Sequence, residues 1–166
     1  MPAARHLKGR EVRQLINEFT EHYPASLSVL DIANDFQELE VDDGSVILVD
    51  GRPLVLRTRG VLLPSLKFDE LINTLPKIIV DMGAVAHVAN GAQIMRPGIK
   101  QIKNRFNKGA TVVIVDEKFG KAIAVGIAEM DSDVMYSASK GKVISNMHFV
   151  GDALWRAFSS HKGHLL

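Results

Sequence analysis

No cysteine occurs in the 166-residue chain. This excludes disulfides, thiolate metal sites and cysteine nucleophiles together, and it fits a cytoplasmic protein. No apolar run approaches the roughly 18 residues of a membrane span, so no membrane association is expected. The start, Met1-Pro-Ala-Ala-Arg-His-Leu-Lys, carries positive charge with no apolar stretch behind it, unlike a secretory signal. Catalytic signatures are equally scarce. There is no GxxxxGK[ST] phosphate loop and no GxSxG elbow. His6, His22, His87, His148, His161 and His164 show no HExxH or other metal spacing, and His161 and His164 read as a frayed tail. Asp31, Asp35 and Glu38 fit one face of a helix, where paired carboxylates are usually solvated surface rather than an acid–base pair. Asp42-Asp43-Gly44 is a turn without the later ligands of a calcium loop. No catalytic residue, metal or cofactor is expected, and the chain reads as a protein that is not an enzyme.

Apolar residues make up 46% of the chain, enough for a real core, and the length suits one large domain or two small ones. The net charge of +1 hides an asymmetry. Residues 1–76 carry eight Lys+Arg against twelve Asp+Glu, a balance of −4; residues 77–166 carry twelve against seven, a balance of +5. Such a split suggests two domains, the second facing a polyanion.

The first half reads as mixed α+β. Val12, Leu15, Ile16 and Phe19 share one helical face, and Tyr23-Pro24 closes that helix. Phe36 to Val41 alternates as a half-buried strand does. Asp43-Gly44 and Asp50-Gly51 then punctuate strands at Ser45–Val49 and Pro53–Arg57, with a short strand at Gly60–Leu63 and a short helix at Phe68–Leu75. Pro76 marks the boundary. The second half is denser in strands, at 78–81, 92–95, 110–115, 121–128 and 142–150, with a short helix at 84–90 ended by Gly91. The stretch from Lys100 to Lys108 reads as a basic connection, and a final helix runs through Trp155 and Phe158. Many short strands with tight turns suggest a small barrel.

One string is recognisable. Val80-Asp-Met-Gly83-Ala84, then Val88-Ala-Asn-Gly91-Ala92-Gln-Ile-Met95-Arg-Pro97-Gly98-Ile99, resembles the opening of a PUA domain, a pseudo-barrel named for pseudouridine synthases and archaeosine transglycosylases. The ending agrees: Lys140-Gly141-Lys142 leads to Asn146, His148, Asp152, Leu154 and Trp155, in the order of the malignant T-cell-amplified sequence family of translation re-initiation factors. That family places an α+β pre-PUA domain ahead of the PUA domain. The resemblance implies a pre-PUA domain at 1–76 and a PUA domain at 77–166. It also implies an RNA face that includes Gly83, Ala84, Ala92, Arg96, Pro97, Gly98 and Gly141. Charge adds Lys100, Lys103, Lys140 and Lys142 to that face. The start of the 84–90 helix, with free N–H groups and its dipole, is a candidate phosphate site. Asn146 and His148 are expected to hold the last strand, and Trp155 to pack under the barrel.

The expected function is non-catalytic binding of structured RNA in translation, either the acceptor end of tRNA or ribosomal RNA. The small ribosomal subunit or an initiation-factor-like protein is a candidate partner. Two alternatives stand beside it: a protein-interaction adaptor, and an RNA-binding accessory subunit of a modification enzyme.

Overall fold

A computed structural model describes residues 3–162, and the chain divides into two compact units. The first comprises 1–74 together with 153–166, and the second 75–152. The final helix therefore belongs with the first unit, although the sequence places it with the barrel. Regrouped this way, the first unit has a charge balance of −2 and the second +3, so the asymmetry narrows from nine charges to five.

The first unit is an antiparallel sheet in simple chain order, β1 (Ala4–His6), β2 (Phe36–Val41), β3 (Gly44–Val49), β4 (Arg52–Thr58) and β5 (Val61–Pro64). Its tight turns follow from the residues at them. Asp50 and Gly51 have φ of 49° and 82°, and Arg59 and Gly60 have 50° and 77°. Two successive positive φ angles are what a two-residue turn needs to match the twist of the strands it joins. Helix α1 (Gly9–His22) buries Leu15 and Phe19 and stops before Pro24. The Glu11 carboxylate accepts the Lys8 amide at its start. Phe19 lies 6.2 Å from Phe68, ring planes stacked, and 4.7 Å from Tyr23. Short helices α2 (Leu27–Leu30) and α3 (Asp69–Ile72) add Leu30, Leu71 and Ile72 to this core. Helix α6 (Ala153–Lys162) lies on β2 and β3 and buries Leu154 and Phe158. Trp155, expected under the barrel, is half-buried in the first unit, edge-on to Phe158 and under the Lys67 ammonium.

Asp31, Asp35 and Glu38 do not share a helix. Asp31 follows α2, Asp35 lies in a loop and Glu38 sits on β2, where it faces Arg5, Arg57 and Ser45. Of the terminal pair, the His161 side chain and His164 lie outside the described residues.

The second unit is a six-stranded sheet ordered β7 (Ile94–Met95), β11 (Lys142–Phe149), β10 (Ala122–Ala128), β9 (Thr111–Asp116), β6 (Lys77–Val80), β8 (Ile99–Lys103). Its two outer strands, β7 and β8, are joined by only Arg96-Pro97-Gly98 in one 3₁₀ turn. From Met95 to Ile99 the chain reaches at most about 15 Å. A flat six-stranded sheet would hold its outer strands about 24 Å apart. The sheet therefore curls until its edges nearly meet. Curling needs a bend in the long strands, and Gly126 supplies it at a register shift in β10: a Cβ there would stand 2.5 Å from Ile144 and 2.7 Å from the Ser145 carbonyl. Inside lie Ile78, Val80, Val88, Ile94, Val112, Ile114, Ala124, Val143 and Ile144, with Met135 from helix α5 (Ser132–Ser137). Asn146 and His148 hold β11 as expected. The Asn146 amide donates to the Val88 and Ala92 carbonyls, and the His148 ring meets Asp152 at 2.9 Å.

Candidate nucleic-acid interface

Strand β6 ends at Asp81, which begins helix α4 (Met82–Val88). The helix closes on Gly91 at φ 88°, and the chain turns back through Ala92 and Gln93 into β7. Between α4 and the stretch from Ala92 to Gly98 lies a groove of about 480 Å³. Ala84, Val88, Ala92, Ile94, Met95 and Pro97 make most of its wall, and Asp81, His87 and Gln93 supply the polar atoms. Met95 is 49% exposed, an unusual position for a strand methionine unless something covers it. The volume falls within the range of small-ligand sites, which combine an apolar lining with a few convergent polar groups.

Of the residues expected at the site, Ala84, Ala92, Pro97 and Gly98 line this groove, and Gly141 and Lys142 stand at its rim. Gly141 accepts the Arg96 amide at 2.8 Å, and Lys142 is paired with Met95 across β7 and β11. Lys140 and Gly83 are exposed nearby in sequence but do not line it. Lys100 and Lys103 are exposed on β8, beyond the Arg96-Pro97-Gly98 turn. The sequence reading missed His87, Gln93 and Met95. Only the position of Met95 between two motif residues could have pointed to it.

Two expected roles change. The start of α4 is not open to a phosphate, because the Asp81 carboxylate already accepts the Ala84 amide at 2.7 Å. A carboxylate at that point repels an anion and accepts from hydroxyl or amino groups. Arg96 is not free to reach a phosphate either. Its guanidinium donates to the carbonyls of Met135 (2.7 Å), Ile99 (3.2 Å) and Tyr136 (3.3 Å), so it ties the end of α5 to the groove wall. The glycine at 98 has a packing reason as well, since a Cβ there would stand 2.8 Å from the Ala84 Cβ. It sets the distance between α4 and the turn, and with it the width of the groove.

The basic side chains divide into two kinds. Lys142 pairs with Glu129 at 2.9 Å, and that carboxyl is held below its ordinary value first by the Ser145 hydroxyl and then by Lys142. Lys100, Lys103, Arg105 and Lys140 make no ion pair among the described residues. The groove thus suits an uncharged, partly apolar group with donors at its edge, while the free cations beside it suit a phosphate backbone. Among the described residues no three His, Asp or Glu side chains gather as a metal site requires.

Residues 76–150 match the family model of the PUA domain. The chain is 33% identical to a protein of Methanocaldococcus jannaschii over 90% of its own length and 93% of that protein's. It is 31% identical to translation machinery-associated protein 20 of Saccharomyces cerevisiae over 86% of both chains. Malignant T-cell-amplified sequence 1-B of Xenopus laevis is 33% identical over 66% of this chain and 64% of its own. The crystal structure of a PUA-domain protein from Aeropyrum pernix K1, a tartrate complex, superposes with a TM-score of 0.79 at 26% identity, over 96% of this chain and 92% of that one. The chain belongs to the family of PUA-domain proteins that includes translation machinery-associated protein 20 and the malignant T-cell-amplified sequence proteins.

Proposed function

We propose that the protein binds structured RNA of the translation apparatus without catalysing a reaction, and that the groove beside α4 takes an unpaired end of that RNA. The acceptor end of tRNA is the first candidate and an exposed end or loop of ribosomal RNA the second. The observation that carries the reading is the pairing of an apolar groove with free cations along its flank. Unpaired RNA is recognised by burying splayed bases against apolar or aromatic surface, whereas duplex RNA presents mainly phosphates and 2′-hydroxyls. Asp81, His87 and Gln93 can accept from or donate to base edges and the 2′-hydroxyl. Gly83, Ala84, Ala92, Pro97, Gly98 and Gly141 shape this contact, Arg96 braces it, and Lys100, Lys103, Lys140 and Lys142 meet the backbone. The name of translation machinery-associated protein 20 supports a place in translation, and a cytoplasmic location goes with that reading. The first unit, residues 1–74 with the last helix, would then orient the PUA domain or meet the small ribosomal subunit or an initiation-factor-like protein.

The test is binding to an acceptor-stem hairpin with and without its single-stranded CCA end. Binding that depends on the CCA end, and is lost on Ala92→Glu, supports the reading. Equal binding to the blunt hairpin would move the site onto duplex RNA. Absence of binding at low salt would favour a protein-interaction adaptor.

A further inference from the structure

We propose a second nucleotide subsite on the other side of Arg96, in which the Tyr136 ring stacks on a base and Arg105 with the β8 lysines holds its phosphate. The inference rests on the reading just given and extends it to a second, separate contact with the same RNA strand.

Helix α5 is anchored at both ends. At its start the Ser132 amide donates to the Phe106 carbonyl at 3.0 Å, the Phe106 amide donates to the Ser132 hydroxyl at 3.1 Å, and the Lys108 amide donates to Asp131 at 2.7 Å. At its end Arg96 holds the carbonyls of Met135 and Tyr136. Met135 is fully buried in the barrel core. The helix is therefore fixed in place, yet it presents Tyr136 at 75% and Val134 at 56% exposure. A large ring on a fixed backbone loses little freedom when it binds, and that is the condition for effective stacking. An exposed tyrosine on so well-braced a helix contributes nothing visible to the core.

Beside it lies a hollow of about 190 Å³ lined by Ile102, Asn104, Arg105, Ser132, Asp133 and Tyr136. Arg105 makes no ion pair among the described residues, and Lys103 and Lys100 lie on the strand leading into it. An aromatic face set among unpaired cations is the arrangement that holds single-stranded nucleic acid with little sequence preference. The Asp133 carboxylate keeps phosphate out of the hollow itself and accepts from a base amino group or ribose hydroxyl. Phosphates fall on the Arg105 and Lys103 side. Because Arg96 holds both the Ile99 carbonyl of the groove wall and the Tyr136 carbonyl, one side chain fixes the spacing of the two subsites.

The experiment compares wild type, Tyr136→Ala, Tyr136→Phe, Arg105→Gln and the groove variant Ala92→Glu. Each is titrated with an acceptor-stem hairpin carrying its single-stranded 3′ end and with the blunt hairpin. Loss of one stacked base predicts a weakening of roughly 5- to 100-fold for Tyr136→Ala on the tailed hairpin. Tyr136→Phe should stay within about twofold of wild type, since the ring face is retained. The exposed ring leaves the melting temperature unchanged, which separates lost contact from lost fold. If Tyr136→Ala and Arg105→Gln bind like wild type while Ala92→Glu does not, the second subsite is overturned and the groove stands. If Tyr136→Ala weakens binding and Ala92→Glu does not, the subsite stands and the groove reading falls. If the wild type binds neither hairpin, both are overturned.

Discussion

In the first unit three arginines close ion pairs: Arg5 bridges Glu11 and Glu38 at 3.0 Å each, Arg52 meets Glu70 at 2.6 Å, and Arg57 approaches Glu38; Arg10 and Arg13 make none among the described residues. In the second unit Lys100, Lys103, Arg105 and Lys140 make no ion pair among the described residues, whereas Arg96 holds three carbonyls and Lys142 pairs with Glu129. The two units differ by only five charges once the last helix is assigned to the first. Net charge alone does not show which cations are left free. On the function proposed above, the free cations that matter are those beside the groove, and they become visible only when side chains have neighbours.

Neutralising matched sets in the two units gives the sharpest contrast. Lys100→Gln, Lys103→Gln and Arg105→Gln together should cut affinity for a tailed acceptor-stem hairpin by roughly 30-fold or more and lower the salt slope by about 2. Arg5→Gln, Arg52→Gln and Arg57→Gln together should leave that affinity within about twofold and reduce folding stability by about 1 kcal/mol, read by denaturant unfolding. RNA affinity falling equally in both would erase the distinction. Within the second unit, Arg96→Met removes donors from three carbonyls and should cost about 2–3 kcal/mol in the melting of the barrel. RNA binding should weaken with it, because the groove and α5 lose their common brace. A variant that melts like wild type would show that the guanidinium is dispensable to the fold.

A smaller effect comes from the one groove lysine that is paired. Glu129→Gln frees Lys142 and should tighten RNA binding about twofold at low salt, a change that salt removes. The smallest concerns pH. The Arg52 guanidinium holds the Glu70 carboxyl at about 2, below its ordinary 4.5. A depressed folded-state value means the pair stabilises the protein above about pH 4.5 and that this contribution is lost as pH falls through about 2. Both side chains are 45% exposed, so the gain is well under 1 kcal/mol after solvent screening. Arg52→Gln should return the Glu70 titration, followed by NMR, towards its ordinary value.

The sequence carries the strands of the first unit well because Asp50-Gly51 and alternating apolar residues fix both turn and register over β2, β3 and β4. It fails at β1 and β8. Ala4–His6 is too short to show a period, and Ile99-Lys-Gln-Ile-Lys reads as a basic connection because only Ile99 and Ile102 turn inward. Both are outer strands, each paired on one side alone, so tertiary pairing decides them rather than local pattern. At the site the motif located the groove but mistook two roles. The start of α4 reads as a phosphate site until the Asp81 carboxylate is seen to accept the Ala84 amide. Arg96 reads as a phosphate ligand until the carbonyls of α5, 39 and 40 residues away, are found to occupy it. Contacts that distant in sequence leave no local trace. Tyr136 was likewise unreadable, since only exposure on a braced helix distinguishes it from a core aromatic.

The most direct test of the account is the salt dependence of binding to a tailed acceptor-stem hairpin, measured for wild type and for the two triple variants side by side. The account predicts a linear loss of log affinity with log salt for wild type, and a slope shallower by about 2 for the Lys100, Lys103 and Arg105 variant alone. Identical slopes for all three proteins would contradict the claim that the unpaired cations of the barrel form the RNA-binding face.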